Sequence, residues 1–392
     1  MKAAPGLPPC GSSPSSITRL RLSAPPIPAF KGRGTSWRIV PRHAVLKPDA
    51  FDDGWGSLDQ QADERTLSPA TQVIETQARS ILAANDSPDI PFELSVNPYR
   101  GCEHGCVYCF ARPTHSWLDQ SPGLDFETKI VAKVNAAERL RAAFARRGYV
   151  PRALNLGSAT DCYQPVERRL RITRSVIEVL SECSHAFSLV TKSAGVERDL
   201  DLIAPMAKQG LAAVYVSLTT LDPALARAME PRAVSPERRL RTIEALAAAG
   251  VPVGVSVSPL IPFVNEPELE RILAAARRAG AVRAFTTMLR LPHEVAPLFE
   301  RWLEERFPER AGRVMSRVRE MRGGDKVNDI RFGDRMTGTG VWARLVAQRF
   351  DKACQRLGYA QEPLALDLTR FVRPRAVKAG ADVEEPAQRS LF

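Results

Sequence analysis

The stretch LAAVYVSLTTLDPALARAM, residues 211–229, reads as one complete structural unit. Residues 211–218 alternate small and β-branched side chains, the composition of a strand. The polar word SLTT at 217–220 ends it. Asp222 and Pro223 then mark a helix start, the acid as N-cap and the proline at the first helical position. Working outward, the same rhythm recurs on both sides. Hydrophobic periodicity predicts strands at residues 92–96, 152–157, 185–191, 211–218, 251–257 and 283–289. Helices are predicted at 71–84, at 126–147 behind Asp125 as N-cap, at 168–182, at 197–208, from Pro223, from Pro236 behind Ser235, and at 294–306. One more, at 266–278, opens behind Asn265, with Glu268 completing a capping box. Six alternating strand–helix units imply an α/β protein of parallel strands with right-handed crossovers. Two closures suit that count, an open doubly wound sheet or a partial (β/α) barrel, and both gather chemistry at the carboxyl ends of the strands.

Outside those units the chain changes character. Residues 1–68 are punctuated by Pro, Gly and Ser without sustained periodicity and are expected to form a mostly disordered extension. Residues 69–308 are the core, and 309–392 a helical segment with a Gly-rich link at 332–340, a helix at 341–357 and a polar tail from Arg373. The 392 residues carry a net charge of +11, but residues 1–50 hold eight Lys or Arg against the single acid Asp49. Subtracting that +7 leaves +4 for the other 342 residues, so the body's charge says little about its substrate. No run approaches the roughly 18 apolar residues of a membrane span. The first 40 residues overlap a transit-peptide composition but contain no secretory apolar core, and the chain is expected in the cytoplasm.

Seven cysteines are an odd number, and three of them crowd into NPYRGCEHGCVYCFARPTH, residues 97–115. Cys102, Cys106 and Cys109 stand in a C-x3-C-x2-C spacing on a Gly-bearing loop after the first strand. Three thiolates so placed can wrap one compact metal centre. A cubane iron–sulfur cluster normally takes four thiolates, so with three one iron keeps an open position. A zinc site with His104 or His115 as fourth ligand is the alternative, although zinc loops generally draw on a distant second cysteine pair, which is absent here. Cys10, Cys162, Cys183 and Cys354 are scattered singly.

This spacing, with Tyr108 before the last cysteine, resembles the signature of the radical SAM superfamily. The surrounding words, with SPGLDFETKI at 121–130, resemble more narrowly its spore photoproduct lyase-like, or DNA repair photolyase-like, branch. The resemblance spans roughly residues 87–358. It implies a partial (β/α)6 TIM-type barrel, a [4Fe–4S] cluster on Cys102, Cys106 and Cys109, and S-adenosylmethionine cleaved to a 5′-deoxyadenosyl radical. An electron donor such as a flavodoxin or ferredoxin is implied as partner, and nucleic acid leads as substrate class. Radical modification of a peptide or small metabolite is a second reading. A non-enzymatic, zinc-stabilised nucleic-acid-binding protein is a third.

The polar words at the strand ends supply the remaining candidates. By the resemblance, GSATDCYQP at 157–165 holds the cofactor's amino group through Ser158 and Thr160, with Asp161 equally readable as a turn residue. Lys192, in VTKS at 190–193, pairs with the cofactor carboxylate or is a solvated strand-end lysine. Ser217 or Thr219 contacts ribose, and Arg239, among Arg232, Arg238 and Arg241, lies near the cofactor. Spore photoproduct lyases carry a cysteine hydrogen donor after the second strand; that position falls near Ser158 here, and Cys162 is the candidate substitute or an inert buried thiol. Arg112 and His115 follow the cysteines directly, and Gly333, Gly338 and Gly340 precede the last helix without the ending of a P-loop.

Overall fold

The residues predicted as central strands are apolar on both faces, and that composition needs cover on both sides. Leu154, Leu156, Phe187, Leu189, Val214, Val216, Val253, Val255 and Val257 are all buried, between helices on one side and the interior on the other. In a computed structural model of the chain, residues 30–44 and 69–375 are described. In chain order the strands are β1 (Gln72–Thr76), β2 (Leu82–Ala84), β3 (Leu94–Val96), β4 (Tyr99–Arg100) and β5 (Lys129–Lys133). They continue as β6 (Leu154–Leu156), β7 (Phe187–Thr191), β8 (Ala212–Ser217), β9 (Val253–Leu260) and β10 (Arg283–Met288).

Seven of these form one sheet in the order β10-β9-β8-β7-β6-β3-β2. All its pairings are parallel except β2 on β3, and the six predicted strands are the six parallel ones. That order decides the closure. A doubly wound sheet reverses its strand order at a switch point, whereas here each parallel strand follows its neighbour without reversal. Single winding stacks the crossovers on one face and curls the sheet into a partial barrel. β1, β5 and β4 form a second small sheet, which carries the chain into the cysteine loop.

One predicted helix is two strands instead, and another is broken by a strand. Residues 71–84 contain β1, whose Val73, Ile74 and Thr76 find their partners on distant β5, and β2, which pairs with β3. Residues 126–147 split into a helix at Leu124–Thr128, then β5, then a helix at Ala136–Ala145. β-branched Ile130 and Val131 pair in β5 between β1 and β4, so the run cannot stay helical. Asp125 consequently lies inside the first helix, whose cap position is Gly123. Asn265 does not cap its helix either. Its carboxamide accepts the Ile261 N–H at 2.7 Å and donates to Thr219 O at 2.8 Å, lacing the ends of β9 and β8. Asp222 and Ser235 do cap, accepting the N–H groups of Ala224 and Arg238.

Part of the expected N-terminal extension is ordered: within residues 30–44, Arg33 is 5% exposed and reaches Glu127 O at 2.9 Å and Pro69 O at 2.7 Å. Residues 1–29, 45–68 and 376–392, with Cys10, lie outside the described residues. A second apolar cluster joins Cys106, Val107 and Tyr108 to Ile261, Leu289 and Leu291 and to the helices Val295–Arg306 and Pro308–Met321. The cysteine loop is thereby seated on the carboxyl ends of the late strands.

Candidate active site

The cysteine loop leaves β4 through Gly101, at φ 80°, where a Cβ would stand 2.9 Å from Phe126 O. Cys102 N–H donates to Phe126 O at 2.9 Å, and Val107 N–H to Met229 O at 3.1 Å. Arg112, fully buried, braces the loop from within. Its Nε donates to Cys106 O at 2.9 Å and its Nη1 to Gly123 O at 2.9 Å, while Nη2 meets Glu127 Oε1 at 2.6 Å. Glu127 also accepts the Gly34 N–H at 2.8 Å, so residues 30–44 back this brace. Glu103 fastens the other side, accepting Val166 N–H at 2.7 Å and Thr71 Oγ1 at 2.8 Å.

Cys102 and Cys106 are buried, Cys109 is half-buried, and all three thiols are free. Burial drives the Cys102 thiol well above its ordinary value, with Asp161, Cys106 and Cys109 adding to it and the Asp161 N–H opposing. Burial pushes Cys106 up to about 12 against the pull of Lys192. Burial thus opposes the Cys102 and Cys106 thiolates unless a strongly cationic centre compensates them, which is what a cluster of irons would do. Among the described residues no three His, Cys, Asp or Glu side chains gather tightly enough to hold a single metal ion. A cubane spreads its thiolates over separate irons instead. Each histidine of the zinc alternative has one ring nitrogen in contact elsewhere, while His115 Nδ1 is buried without a partner. His104 Nδ1 stands 3.2 Å from Asp161 Oδ2, an ion-pair contact rather than an aligned hydrogen bond. His115 Nε2 lies 3.1 Å from Lys129 O, and burial lowers that ring to about 4.

The strand ends face this loop. Thr160 Oγ1 donates to Gly101 O at 2.7 Å, and Gln164 Nε2 reinforces both groups. Ser158 Oγ accepts from Asn97 Nδ2 at 3.1 Å. Asp161 accepts Lys192 N–H at 2.7 Å and Thr191 Oγ1 at 2.8 Å, tying the ends of β6 and β7 together. Burial works to raise its carboxyl, but His104, the Lys192 N–H and the Thr191 hydroxyl prevail and hold it at about 2. Ser217 Oγ, at the end of β8, is buried without a partner. Arg239 spends all three donor groups inside the protein, on Val234 O, on Ser217 O at 3.1 Å and on the Glu230 carboxylate. Glu230 also accepts the Tyr108 and Thr219 hydroxyls, so Arg239 sets the cysteine loop indirectly.

Lys192 differs from all of these. Its ammonium lies 5.9 Å from the Tyr108 ring centroid and makes no hydrogen bond or ion pair among the described residues. Burial works to lower it, but Cys106 and Glu230 outweigh that and leave it raised, so it stays cationic. Cys162 is not brought to the other thiols. It sits fully buried in the barrel core, its Sγ 3.9 Å from Leu156 O, and burial keeps the thiol well above its ordinary value.

Sequence reasoning missed the roles of Glu230, Gln164 and Glu127; it noted Arg112 beside the cysteines but not its pairing with Glu127. It also missed Ser258, within the last residues of β9, whose hydroxyl is buried and unpartnered like that of Ser217. The rule that singled out SATD, TKS and SLTT would have found it, because Ser258 directly follows the strand predicted at 251–257.

A singly wound parallel barrel that seats three free thiols at its carboxyl ends is the architecture of iron–sulfur radical enzymes. Residues 96–276 match the profile of the Radical SAM superfamily, and the chain belongs to that superfamily. An uncharacterized protein of Mycobacterium tuberculosis is 38% identical over 234 residues, covering 59% of this chain and 68% of the relative. One of Methanocaldococcus jannaschii is 23% identical over 246 residues, 62% of this chain and 86% of the relative. Among solved structures, spore photoproduct lyase complexed with dinucleoside spore photoproduct superposes with a TM-score of 0.52 at 15% identity, over 73% of this chain and 80% of that one. That likeness is one of fold.

Proposed function

We propose that the chain holds a [4Fe–4S] cluster on Cys102, Cys106 and Cys109 and binds S-adenosylmethionine beside it, acting as a radical enzyme on a nucleic-acid substrate. The observation that carries this reading is the meeting of three free cysteine thiols in one loop with a half-buried ammonium, that of Lys192, which has no ion-pair partner among the described residues. When bound and reduced, the cofactor supplies a 5′-deoxyadenosyl radical, which takes a hydrogen atom from substrate. The chain's residues bind, orient and exclude water. Lys192, cationic and unpaired, receives the cofactor carboxylate as a charge-assisted contact. Ser158 and Thr160 are the proposed partners of the cofactor's amino group. Ser217 and Ser258 offer free hydroxyls. Arg239 acts through Glu230 and Tyr108, positioning the loop without touching ligand.

Residues 69–308 carry the reaction and, of residues 309–392, the described ones pack against that core, in a cytoplasmic protein fed by a flavodoxin or ferredoxin. Nucleic acid is favoured as substrate because the fold is shared with a lyase solved with a dinucleoside photoproduct. With serine at 158 and Cys162 in the core, hydrogen return by a cysteine at the usual place is unsupported, so modification rather than thymine photoproduct repair is the outcome proposed. The test is anaerobic reconstitution followed by iron and sulfide analysis and a search for 5′-deoxyadenosine after reduction. Iron, sulfide and 5′-deoxyadenosine together are expected. One zinc per chain and no iron would overturn the reading.

A further inference from the structure

Among the described residues, Arg290 is a second cation at the barrel mouth without an ion-pair partner. It follows β10, between Leu289 and Leu291, which pack in one apolar cluster with Cys106, Val107 and Tyr108. Its guanidinium lies 5.3 Å from the centroid of the Phe110 ring, and Phe110 directly follows Cys109. Arg290 is half-buried, yet it makes no hydrogen bond or ion pair among the described residues.

Its neighbours show how unusual that is. Arg335 is paired with Asp89, Nε to Oδ2 at 2.7 Å. Arg322 gives its donors to the carbonyls of Met288, Leu289, Asp334 and Arg335. Arg322 has no carboxylate within ion-pair distance, so it adds positive charge without neutralising Arg290. Burial and then Arg335 both work against the charge on Arg290, with Asp89 the only opposing influence. A guanidinium held partly out of water with all five N–H donors free is a preset fork for a planar or tetrahedral oxyanion. Phe110 and Phe332, 51% and 58% exposed, give the site an apolar margin, and Arg335 lies 4.8 Å from the Phe332 ring.

We propose that Arg290, stacked on Phe110 beside the cysteine loop, is the subsite for an oxyanion of the substrate, a phosphate or carboxylate group next to an apolar or planar part. The two cations then divide the work, Lys192 taking the cofactor carboxylate and Arg290 the substrate anion. The assignment of this anion to a substrate rests on the preceding reading of the cysteine loop as the reaction centre; the binding site itself does not.

The test is a titration of the anaerobically reconstituted full chain with inorganic phosphate, dimethyl phosphate and acetate, followed by 31P line broadening and by acetate competition. Iron content and cofactor cleavage are measured on the same samples. Arg290→Ala is expected to weaken binding roughly tenfold or more, the loss of a charge-assisted hydrogen-bond pair, and Arg290→Lys to weaken it less. Iron content stays at the wild-type level in both. Preference for dimethyl phosphate identifies a diester group, for inorganic phosphate a monoester, and competition by acetate at equal concentration a carboxylate. As a measurement independent of any variant, the anion that binds is expected to shield Arg290 from phenylglyoxal in the wild-type chain, read by peptide mass. Wild-type binding in Arg290→Ala, equal loss in the exposed control Arg241→Ala, or unshielded Arg290 each overturns the subsite. Anion binding that depends on Arg290 in a chain without iron or cofactor cleavage would keep the subsite and sink the radical-enzyme reading instead.

Discussion

Replacing Glu127 by alanine tests how the cysteine loop is held. The carboxylate is fully buried and receives Arg112 Nη2 at 2.6 Å and the Gly34 N–H at 2.8 Å. Burial alone raises its carboxyl, and Arg112 works against that rise. In Glu127→Ala the guanidinium of Arg112 stays fully buried with its countercharge gone, a change that costs about 3–5 kcal/mol when one member of a buried pair is removed. The Gly34 N–H also loses its acceptor, an orphaned donor worth about 1–3 kcal/mol in isolation and not simply additive. The expected loss is therefore at least about 3 kcal/mol, read as a lower urea midpoint at unchanged slope. Because Arg112 also holds Gly105 O and Cys106 O, iron retained after desalting should fall together with stability. Glu127→Gln keeps the shape and one acceptor and should lose less. The double variant Arg112→Met, Glu127→Leu should recover much of the loss, since a well-packed apolar pair can replace a buried ionic one. A loss under about 1 kcal/mol in Glu127→Ala, the size of an ordinary substitution, would refute the reasoning.

Four further outcomes are expected. Cys102→Ala, Cys106→Ala and Cys109→Ala each abolish iron binding, while Cys162→Ala, Cys183→Ala and Cys354→Ala retain it, by iron analysis after anaerobic reconstitution. Lys192→Ala raises the S-adenosylmethionine concentration for half-saturation by roughly tenfold or more, the worth of one charge-assisted contact, measured by equilibrium dialysis. Deleting residues 1–44 lowers iron retention, because Arg33 and Gly34 no longer back Glu127, and also weakens salt-sensitive binding to a polyanion; unchanged iron content would show the backing to be dispensable. Burial lowers the His185 ring to about 4, with Nδ1 on Ala186 O and Nε2 at 2.7 Å from the Tyr149 hydroxyl. The unfolded chain then binds the proton first, so stability falls as pH drops from about 6.5 towards 4, and His185→Gln should flatten urea midpoints across that window.

The sequence by itself was enough for the six parallel strands and for the three cysteines. Strand–helix alternation is written in contiguous windows of side-chain periodicity, and C-x3-C-x2-C is a spacing within one loop. The caps at Asp222 and Ser235 were legible for the same reason, since a cap bonds two or three residues away. What depends on distant partners was not legible. Residues 72–76 and 129–133 became strands because β1 and β5 complete each other's hydrogen bonds across more than fifty residues of chain. Whether a charge is structural or free for a ligand also lay outside any window. Arg239 and Lys192 are both candidate cofactor cations in the sequence, yet Arg239 pairs with Glu230 and Lys192 forms no ion pair among the described residues. Tyr108 and Glu230, 122 positions apart, share one hydrogen bond, and Phe110 meets Arg290 only because the last barrel strand returns to the first loop. The tertiary structure decided these points because burial sets the cost of an unpaired charge, and burial is a property of the whole packed chain.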